Sequence, residues 1–339
     1  MRTFYGRKEE LQALHKFLSI VQRRRTSQMV AVIGRRRVGK TTLMLKAFEG
    51  CELPVFYFFA DANVDEAETA RAWLNEVSRT YAVEYPPALT RPEEVIGYLM
   101  QLTQTKPAVC IIDECQNLNQ INKAFWSQLQ RIWDTKKDRS QLLLVMSGSI
   151  ISAMEAIFGE SSQPLFGRLS GQLMLKPFNP REILDILRNE APGLSPRDIL
   201  TLYAVTGGVA KYLELLIEAE ALTERQIVEF IFSNAGGWLR SEGAIYLANE
   251  FRADSPIYLQ ILKKVAAGKT RWNEIQDGID TIVSPYISRL EQFRLLEKNI
   301  PFGAKAGTRN SRYRVVDPYF HFWLKFVDPL ESRTLAEAN

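Results

Sequence analysis

The 339-residue chain contains few histidines and few cysteines, which limits the chemistry open to it. Two histidines, His15 and His321, nearly exclude a histidine-based metal centre and Ser/His/Asp catalysis. Three cysteines, Cys51, Cys110 and Cys115, form no CxxC pair, which indicates reduced residues in a cytoplasmic protein. No apolar run approaches the roughly 18 residues of a membrane span, and the first residues lack the apolar core of a signal peptide.

The composition is that of a globular protein, with 46% hydrophobic and 24% charged residues. At roughly 100–200 residues per domain, the length predicts two or three domains. The formal net charge is only +4, but the residues from Ser255 onward hold 13 Lys and Arg against nine Asp and Glu. The whole excess therefore lies in the last quarter of the chain, and a local basic excess is an electrostatic cue for nucleic acid.

The segment GRRRVGKT at Gly34–Thr41 fits the phosphate-loop pattern G-x-x-x-x-G-K-[ST], and it follows an apolar run and opens a helical segment. In such a loop the backbone N–H groups cradle phosphates, Lys40 reaches the β- and γ-phosphates, and the Thr41 hydroxyl coordinates Mg²⁺. The loop arginines occupy variable positions, where we favour a solvated basic turn over extra phosphate or partner contacts. The candidate nucleotide-binding residues here are Gly34, Arg35, Arg36, Arg37, Val38, Gly39, Lys40, Thr41 and Thr42.

Apolar runs alternate with helical segments over the first half of the chain, which predicts parallel strands buried on both faces. The predicted strands are residues 29–33, 54–59, 108–112, 141–146 and 171–176. By analogy with phosphate-loop NTPases that carry a strand between the loop and the acidic residues, we expect the strand order 5-1-4-3-2.

Two carboxylates, Asp113 and Glu114, end the third predicted strand. Asp113 is placed to hold Mg²⁺, and Glu114 to orient and deprotonate an attacking water. Transfer to a substrate hydroxyl has less need of the second carboxylate, so the pair favours hydrolysis. The alternative is a helix N-terminal pair that only complements the helix dipole.

Two further residues are candidates for contact with the γ-phosphate. Ser147 ends the fourth strand, where its hydroxyl would point toward the γ-phosphate or the attacking water; the alternative is a strand-ending turn. Arg168 precedes the fifth strand and would stabilise the charge of the transition state, unless it forms an ordinary structural ion pair.

Several segments together resemble the archaeal-type ATPase family, a group of STAND-class and AAA+-like ATPases. They are Phe4–Leu11 (FYGRKEEL), the phosphate loop, Ile111–Glu114, Ser147–Ser149, Phe166–Leu169 (FGRL) and Thr206–Gly208. Residues 255–323 resemble that family's winged-helix domain, and the run at Tyr313–Trp323 resembles the opening of its C-terminal domain. Longer relatives continue further, so we expect either a short member or part of a longer protein.

The resemblance implies additional roles. Tyr5, Gly6 and Arg7 would border the adenine, Arg168 would sense the γ-phosphate, and the segment from Thr206 would begin a helical lid over the nucleotide. Many relatives have proline where Ala210 stands, which leaves a nucleotide contact by that segment open.

The C-terminal region is predicted to fold as a winged helix, with helices at 256–267, 272–279 and 284–296 and two short strands around a basic turn. That turn carries Lys298, Lys305, Arg309, Arg312 and Arg314 and no acidic residue. Residues 255–316 would contact double-stranded DNA or a protein partner. The third-helix candidates for such contact are Tyr286, Ser288, Arg289 and Gln292. The aromatic cluster at 319–323 is expected to be core.

The sequence therefore predicts an α/β phosphate-loop ATPase domain at 1–178, a helical lid at 179–250, a winged helix at 251–325 and a tail at 326–339. It would bind ATP and Mg²⁺ and hydrolyse ATP slowly as a switch, with nucleotide-dependent self-association. The alternative is a regulatory protein that holds nucleotide without turnover. A DNA-translocating motor is disfavoured because no helicase motif is present.

Overall fold

The computed structural model describes residues 3–303 and 310–331. The chain divides into two compact units. The first unit comprises Gly6–Lys176, and the second comprises the residues up to Tyr5 together with those from Pro177 onward. No helix in the described ranges is both long enough and apolar enough to cross a membrane.

A five-stranded parallel sheet organises the first unit, in the order β2-β3-β4-β1-β5. The strands are β1 (Gln28–Ile33), β2 (Val55–Phe59), β3 (Ala108–Asp113), β4 (Leu142–Gly148) and β5 (Gly171–Met174). The expected order 5-1-4-3-2 is confirmed, since it is the same order counted from the other edge.

The central strands are buried on both faces, as their uninterrupted apolar sequences predict. β2 instead alternates between buried and partly exposed residues because it lies at the edge of the sheet. The helices of this unit are α1 (Lys8–Arg24), α2 (Lys40–Ala47), α3 (Glu66–Thr80), α4 (Pro92–Leu102), α5 (Leu118–Ile121), α6 (Phe125–Lys136) and α7 (Ile151–Phe158). The α3 indole of Trp73 stacks on Phe58 with ring centroids 4.6 Å apart, which shows the close packing of helix on sheet.

The second unit begins with a run of helices that contains no strand in the described residues before β6. They are α8 (Pro180–Glu190), α9 (Pro196–Thr206), α10 (Ala210–Glu218), α11 (Glu224–Phe232) and α12 (Gly237–Phe251). Two capping boxes, at Asn179 with Glu182 and at Thr223 with Gln226, begin α8 and α11.

A winged helix follows, with three helices and a two-stranded antiparallel sheet. Its elements are α13 (Ser255–Ala266), α14 (Trp272–Gln276), α15 (Ser284–Gln292), β6 (Leu296–Asn299) and β7 (Arg312–Val315). The prediction that the third helix reaches Leu296 was wrong. The helix ends at Gln292, Arg294 has a φ of 56° in the left-handed region, and Leu296 pairs with Val315.

The helical region and the winged helix pack together through the last described helix, α16 (Pro318–Phe322), and the π-helical turn after it. The ring centroids of Tyr319 and Tyr212 of α10 lie 5.0 Å apart. The Tyr319 hydroxyl donates to the carbonyl of Leu239 at 2.8 Å. Trp323 is buried, and a Cβ on Gly243 would lie 2.4 Å from its indole ring. The aromatic cluster is therefore core, as expected.

Candidate functional site

The phosphate loop lies between β1 and α2, at the carboxyl edge of the sheet. Two residues, Arg37 (φ 68°) and Gly39 (φ 99°), have left-handed backbone that turns the chain into α2. A side chain at Gly34 would place its Cβ 2.6 Å from the carbonyl oxygen of Leu175. The first loop position must therefore be glycine, for close approach to the chain that follows β5.

The side chain of Lys40 is buried and folds back over the loop. Its ammonium donates to the carbonyl oxygens of Gly34 at 2.9 Å and Arg35 at 3.2 Å. Arg36 is exposed, in agreement with a solvated turn, but Arg35 is only 6% exposed. The expectation of a solvated basic turn was therefore wrong for Arg35. Thr42 is exposed at the start of α2.

Asp113 brings together the loop and three strands. Its Oδ2 accepts hydrogen bonds from Thr41 Oγ1 at 2.6 Å and from the Tyr57 hydroxyl at 2.9 Å. Its Oδ1 accepts from the main-chain N–H of Glu114 at 3.0 Å and from the Ser147 hydroxyl. Four donors thus surround one carboxylate whose residue is 2% exposed.

Tyr57 was not predicted as a site residue. It lies on β2, and its register partner on β3 is Ile111, so Asp113 is the next residue on the same face of the sheet. Burial raises the pKa of the Tyr57 phenol, and the neighbouring Asp113 carboxylate adds to the shift. The signal in the sequence was a tyrosine within an apolar strand, because a buried hydroxyl needs a partner.

Glu114 follows β3 in left-handed backbone, with a φ of 51°. Its Oε2 accepts from Gln116 Nε2 at 2.5 Å and from the Ser149 hydroxyl at 2.7 Å. Gln116 is 6% exposed, and its Oε1 has no hydrogen-bond donor in the described part of the chain. A Cβ on Gly148 would lie 2.6 Å from that oxygen, so the glycine between the two serines leaves room for Gln116.

The oxygen ligands in this arrangement fit Mg²⁺. A hydroxyl and a carboxylate lie 2.6 Å apart, at Thr41 and Asp113, beside a phosphate loop. Mg²⁺ in nucleotide sites is commonly held by one or two such groups together with phosphates and water. The described ranges contain no cluster of three or more His, Cys, Asp or Glu residues that could hold a metal ion.

Residues of the N-terminal segment divide between the two units. The guanidinium of Arg7 is buried and donates to the main-chain carbonyl of Val38 at 3.1 Å. The Arg7 side chain therefore contacts the main chain of the phosphate loop. Gly6 and Arg7 both have positive φ values before α1. Tyr5 belongs to the second unit, where its hydroxyl donates to Glu190 at 2.7 Å.

Arg168 lies at the opposite edge of the sheet from the phosphate loop. Its guanidinium forms a bidentate ion pair with Asp134, at 2.8–3.1 Å, in the last turn of α6. Two residues later, the Ser170 N–H donates to the carbonyl of Met29 at the start of β1. At about 3.3 Å per residue, β1 separates that point from the loop by about 17 Å. Within this chain the structure therefore contains the ion pair that was the alternative, and a γ-phosphate contact by Arg168 stays a prediction.

The segment Thr206–Gly208 forms a tight turn within the second unit. Gly207 caps α9 with a φ of 58°, and a Cβ on Gly208 would lie 2.1 Å from the carbonyl oxygen of Phe178. The Thr206 hydroxyl donates to Leu202 within its own helix. Glycine at 208 therefore allows the backbone of this turn to approach the backbone at Phe178 closely.

Three of the four third-helix candidates on α15 are exposed, namely Ser288, Arg289 and Gln292. Tyr286 instead packs its ring edge-on against Tyr258, with centroids 5.1 Å apart. In the wing, Arg314 pairs with Glu297 at 2.7 Å, and Lys298 lies 6.0 Å from the centre of the Tyr313 ring. Lys305 and Arg309 lie outside the described residues.

A family model described as an ATPase domain predominantly from Archaea matches residues 4–216. The chain belongs to this family. The resemblance inferred from the sequence is thus confirmed, and the phosphate loop, Asp113 and Glu114 all lie within the matched part of this ATPase-family chain.

Similar proteins cover almost the whole chain. MJECL04, an uncharacterized protein of Methanocaldococcus jannaschii, is 26% identical over 329 residues, which are 96% of this chain and 69% of that protein. The Walker-type ATPase PABY2304 of Pyrococcus abyssi matches in structure with a TM-score of 0.65 and 17% identity, over 95% of this chain and 96% of the other. The Aeropyrum pernix ORC2 protein, solved as ADPNP-ADP complexes, matches with a TM-score of 0.60 and 15% identity, over 99% and 96%. At these identities the structural matches establish the fold of this ATPase-family member.

Proposed function

We propose that this chain binds ATP with Mg²⁺ at the Gly34–Thr41 loop and hydrolyses the γ-phosphate, and that nucleotide state controls its winged helix. The observation that carries the proposal is the hydrogen bond from Thr41 Oγ1 to Asp113, 2.6 Å long, which joins the loop to an acidic pair at one edge of the sheet. The ADPNP and ADP bound by the Aeropyrum pernix ORC2 protein support an adenine nucleotide as the ligand.

Binding would draw the Lys40 ammonium away from the two carbonyl oxygens it contacts and onto the β- and γ-phosphates. Backbone N–H groups of the loop and the N-terminus of α2 would hold the phosphate oxygens. Thr41 and Asp113 would hold Mg²⁺, which supplies charge neutralisation to the phosphates.

Glu114 is the proposed general base. Its carboxylate lies one residue beyond Asp113 at the carboxyl edge of the sheet, where an attacking water would approach the γ-phosphate. Both contacts to its Oε2, from Gln116 and Ser149, hold the side chain in one orientation. Ser147 acts through Asp113, on which its hydroxyl lies, in place of a direct contact with the γ-phosphate.

The connection from the loop to the second unit is short. Leu175 donates its N–H to Ile33 at 2.7 Å, contacts Gly34, and lies two residues before Pro177, where the second unit begins. The helical region and the winged helix form one unit through Tyr319. A change in the loop would therefore reach the second unit through the covalent connection at Lys176–Pro177.

The partner of the winged helix is proposed to be double-stranded DNA, because α15 exposes Ser288, Arg289 and Gln292 on one helix next to a basic wing. A retardation series with duplex DNA distinguishes the two partner classes. DNA binding would be present at low salt and lost as salt rises, whereas no retardation at low salt would indicate a protein partner.

Hydrolysis is tested by release of phosphate from ATP by the wild type and by Glu114→Gln. We expect Glu114→Gln to retain ATP binding and to lose about 100-fold or more in turnover, since it can orient water but not accept its proton. Glu68→Gln, an exposed carboxylate on α3, is the matched control and should turn over like the wild type.

A second candidate function is a regulatory protein that holds nucleotide without turnover. The two donors on Glu114 Oε2 favour it, because both hydrogen bonds occupy the oxygen that an attacking water would have to approach. Wild-type protein that retains bound ATP unchanged over hours would decide for this candidate and against hydrolysis.

A further inference from the structure

The hydroxyl of Tyr57 lies on the carboxylate that the proposed function assigns to Mg²⁺. It donates to Asp113 Oδ2 at 2.9 Å, from the edge strand β2. The phenol is anchored by the strand itself, since the main chain of β2 pairs with β3 from Val55 to Phe59. A tyrosine has two rotatable side-chain bonds, so this donor is held in place at low entropic cost.

The two oxygens of Asp113 are held by different kinds of donor. Oδ1 accepts from Ser147 on the neighbouring strand and from the N–H of Glu114, and both donors belong to the sheet or its immediate continuation. Oδ2 accepts from Thr41 and Tyr57. Thr41 is itself a proposed ligand of the metal. Tyr57 is not, so among the described residues it is the donor to Oδ2 whose contribution would be made only through Asp113.

We propose that Tyr57 is a positioning residue that orients the Asp113 carboxylate toward the Mg²⁺ of the bound nucleotide. This inference rests on the proposed function. Without the phenol, rotation of the carboxylate about its Cβ–Cγ bond is opposed on the Oδ2 side by Thr41 alone. Groups that hydrogen-bond to metal ligands in this way commonly contribute 10–100-fold to metal affinity.

The alternative role for Tyr57 is to fill space in the sheet while its hydroxyl finds an acceptor. The two roles differ in what the hydroxyl affects. A structural hydroxyl contributes to stability and to nucleotide affinity equally with and without metal. A positioning hydroxyl contributes only when Mg²⁺ is present.

The test compares wild type, Tyr57→Phe and Tyr81→Phe by equilibrium binding of ADP, in EDTA and across a Mg²⁺ series. Tyr81 is the matched control, because its hydroxyl is buried and has no hydrogen-bond partner in the described residues. We expect Tyr57→Phe to bind ADP in EDTA like the wild type and to need about tenfold more Mg²⁺ for the same gain in affinity. Tyr81→Phe should follow the wild type in both conditions.

Each affinity ratio with and without Mg²⁺ is taken within one preparation, so partial unfolding of a variant does not change it. A Mg²⁺ midpoint of Tyr57→Phe equal to that of the wild type overturns the inference, as does an equal loss of affinity with and without metal. If the wild type binds no ADP under any condition, the proposed function itself fails.

Discussion

The ammonium of Lys40 contacts two carbonyl oxygens of its own loop, which are acceptors it would exchange for phosphate oxygens. Exchange of one buried set of acceptors for another leaves little desolvation cost, because the group is already out of water. At the scale of single residues, the site thus holds a buried lysine ammonium in position at the phosphate loop, on two main-chain carbonyl oxygens.

Glu93, in the first turn of α4, has a buried carboxyl group that affects the pH dependence of stability. The residue is 1% exposed, and neither carboxylate oxygen has a hydrogen-bond partner in the described chain. Burial raises the pKa of Glu93, and the neighbouring Glu66 raises it further. A raised pKa means that the folded state favours the protonated carboxyl. The group therefore favours folding most at a pH below its unfolded pKa, and this contribution is lost as the pH rises through the folded pKa.

We therefore expect Glu93→Gln to be more stable than the wild type at pH 7.5, by about 1 kcal/mol, with the difference shrinking toward pH 4. Chemical denaturation at both pH values measures this. Glu94→Gln, at the adjacent and more exposed position, should not show the effect. A Glu93→Gln variant that is less stable at pH 7.5, or equally more stable at every pH, would contradict this expectation.

Sequence reasoning identified the residues of the site that belong to a local pattern. The phosphate loop and the acidic pair are contiguous runs after apolar strands, so their chemistry and position could both be predicted. Tyr57 and Gln116 were not predicted, because which acceptor each contacts depends on register across strands and on a turn in left-handed backbone. Likewise, Asp134 lies 34 residues from Arg168, and nothing in either local segment signals the pair.

At the scale of elements, the strand order was predictable because each buried strand is a separate apolar run. The end of α15 was not, since Phe293, Leu295 and Leu296 continue the apolar character of the helix although the chain leaves it. The change of direction occurs at Arg294, a residue whose positive φ carries no signal in the sequence. Periodicity thus predicted the elements better than their ends.

The loop before β5 positions Arg168 away from its own nucleotide site. The ion pair with Asp134 is partly exposed, so its contribution to stability is expected to be within about 1 kcal/mol. If Arg168 acts on a γ-phosphate, that phosphate belongs to a second chain. Hydrolysis per chain would then rise with protein concentration.

We expect Arg168→Ala to bind ATP like the wild type and to lose the concentration dependence of turnover. Arg188→Ala, which removes another exposed arginine from an ion pair with Asp185, is the matched control. The measurement is turnover across a dilution series with sedimentation in parallel. A wild-type rate independent of concentration, or an Arg168→Ala variant that keeps the wild-type dependence, would exclude the proposed role between chains.

At the scale of the whole molecule, the two units differ in construction. The first is a parallel sheet with the phosphate loop and the acidic pair at its carboxyl edge, and the second joins the helical region to the winged helix through buried aromatic rings. The short connection at Lys176–Pro177 joins them two residues after a contact with the phosphate loop. The buried aromatic contacts make the helical region and the winged helix one compact unit.

The central claim is that the Gly34–Thr41 loop binds ATP, and equilibrium titration of ATP in the presence of Mg²⁺ tests it most directly. The wild type should bind ATP, Lys40→Ala should bind at least about tenfold more weakly, and Arg24→Ala, which removes an exposed arginine outside the loop, should match the wild type. Equal ATP affinity of Lys40→Ala and the wild type, or no ATP binding by the wild type, would contradict the account.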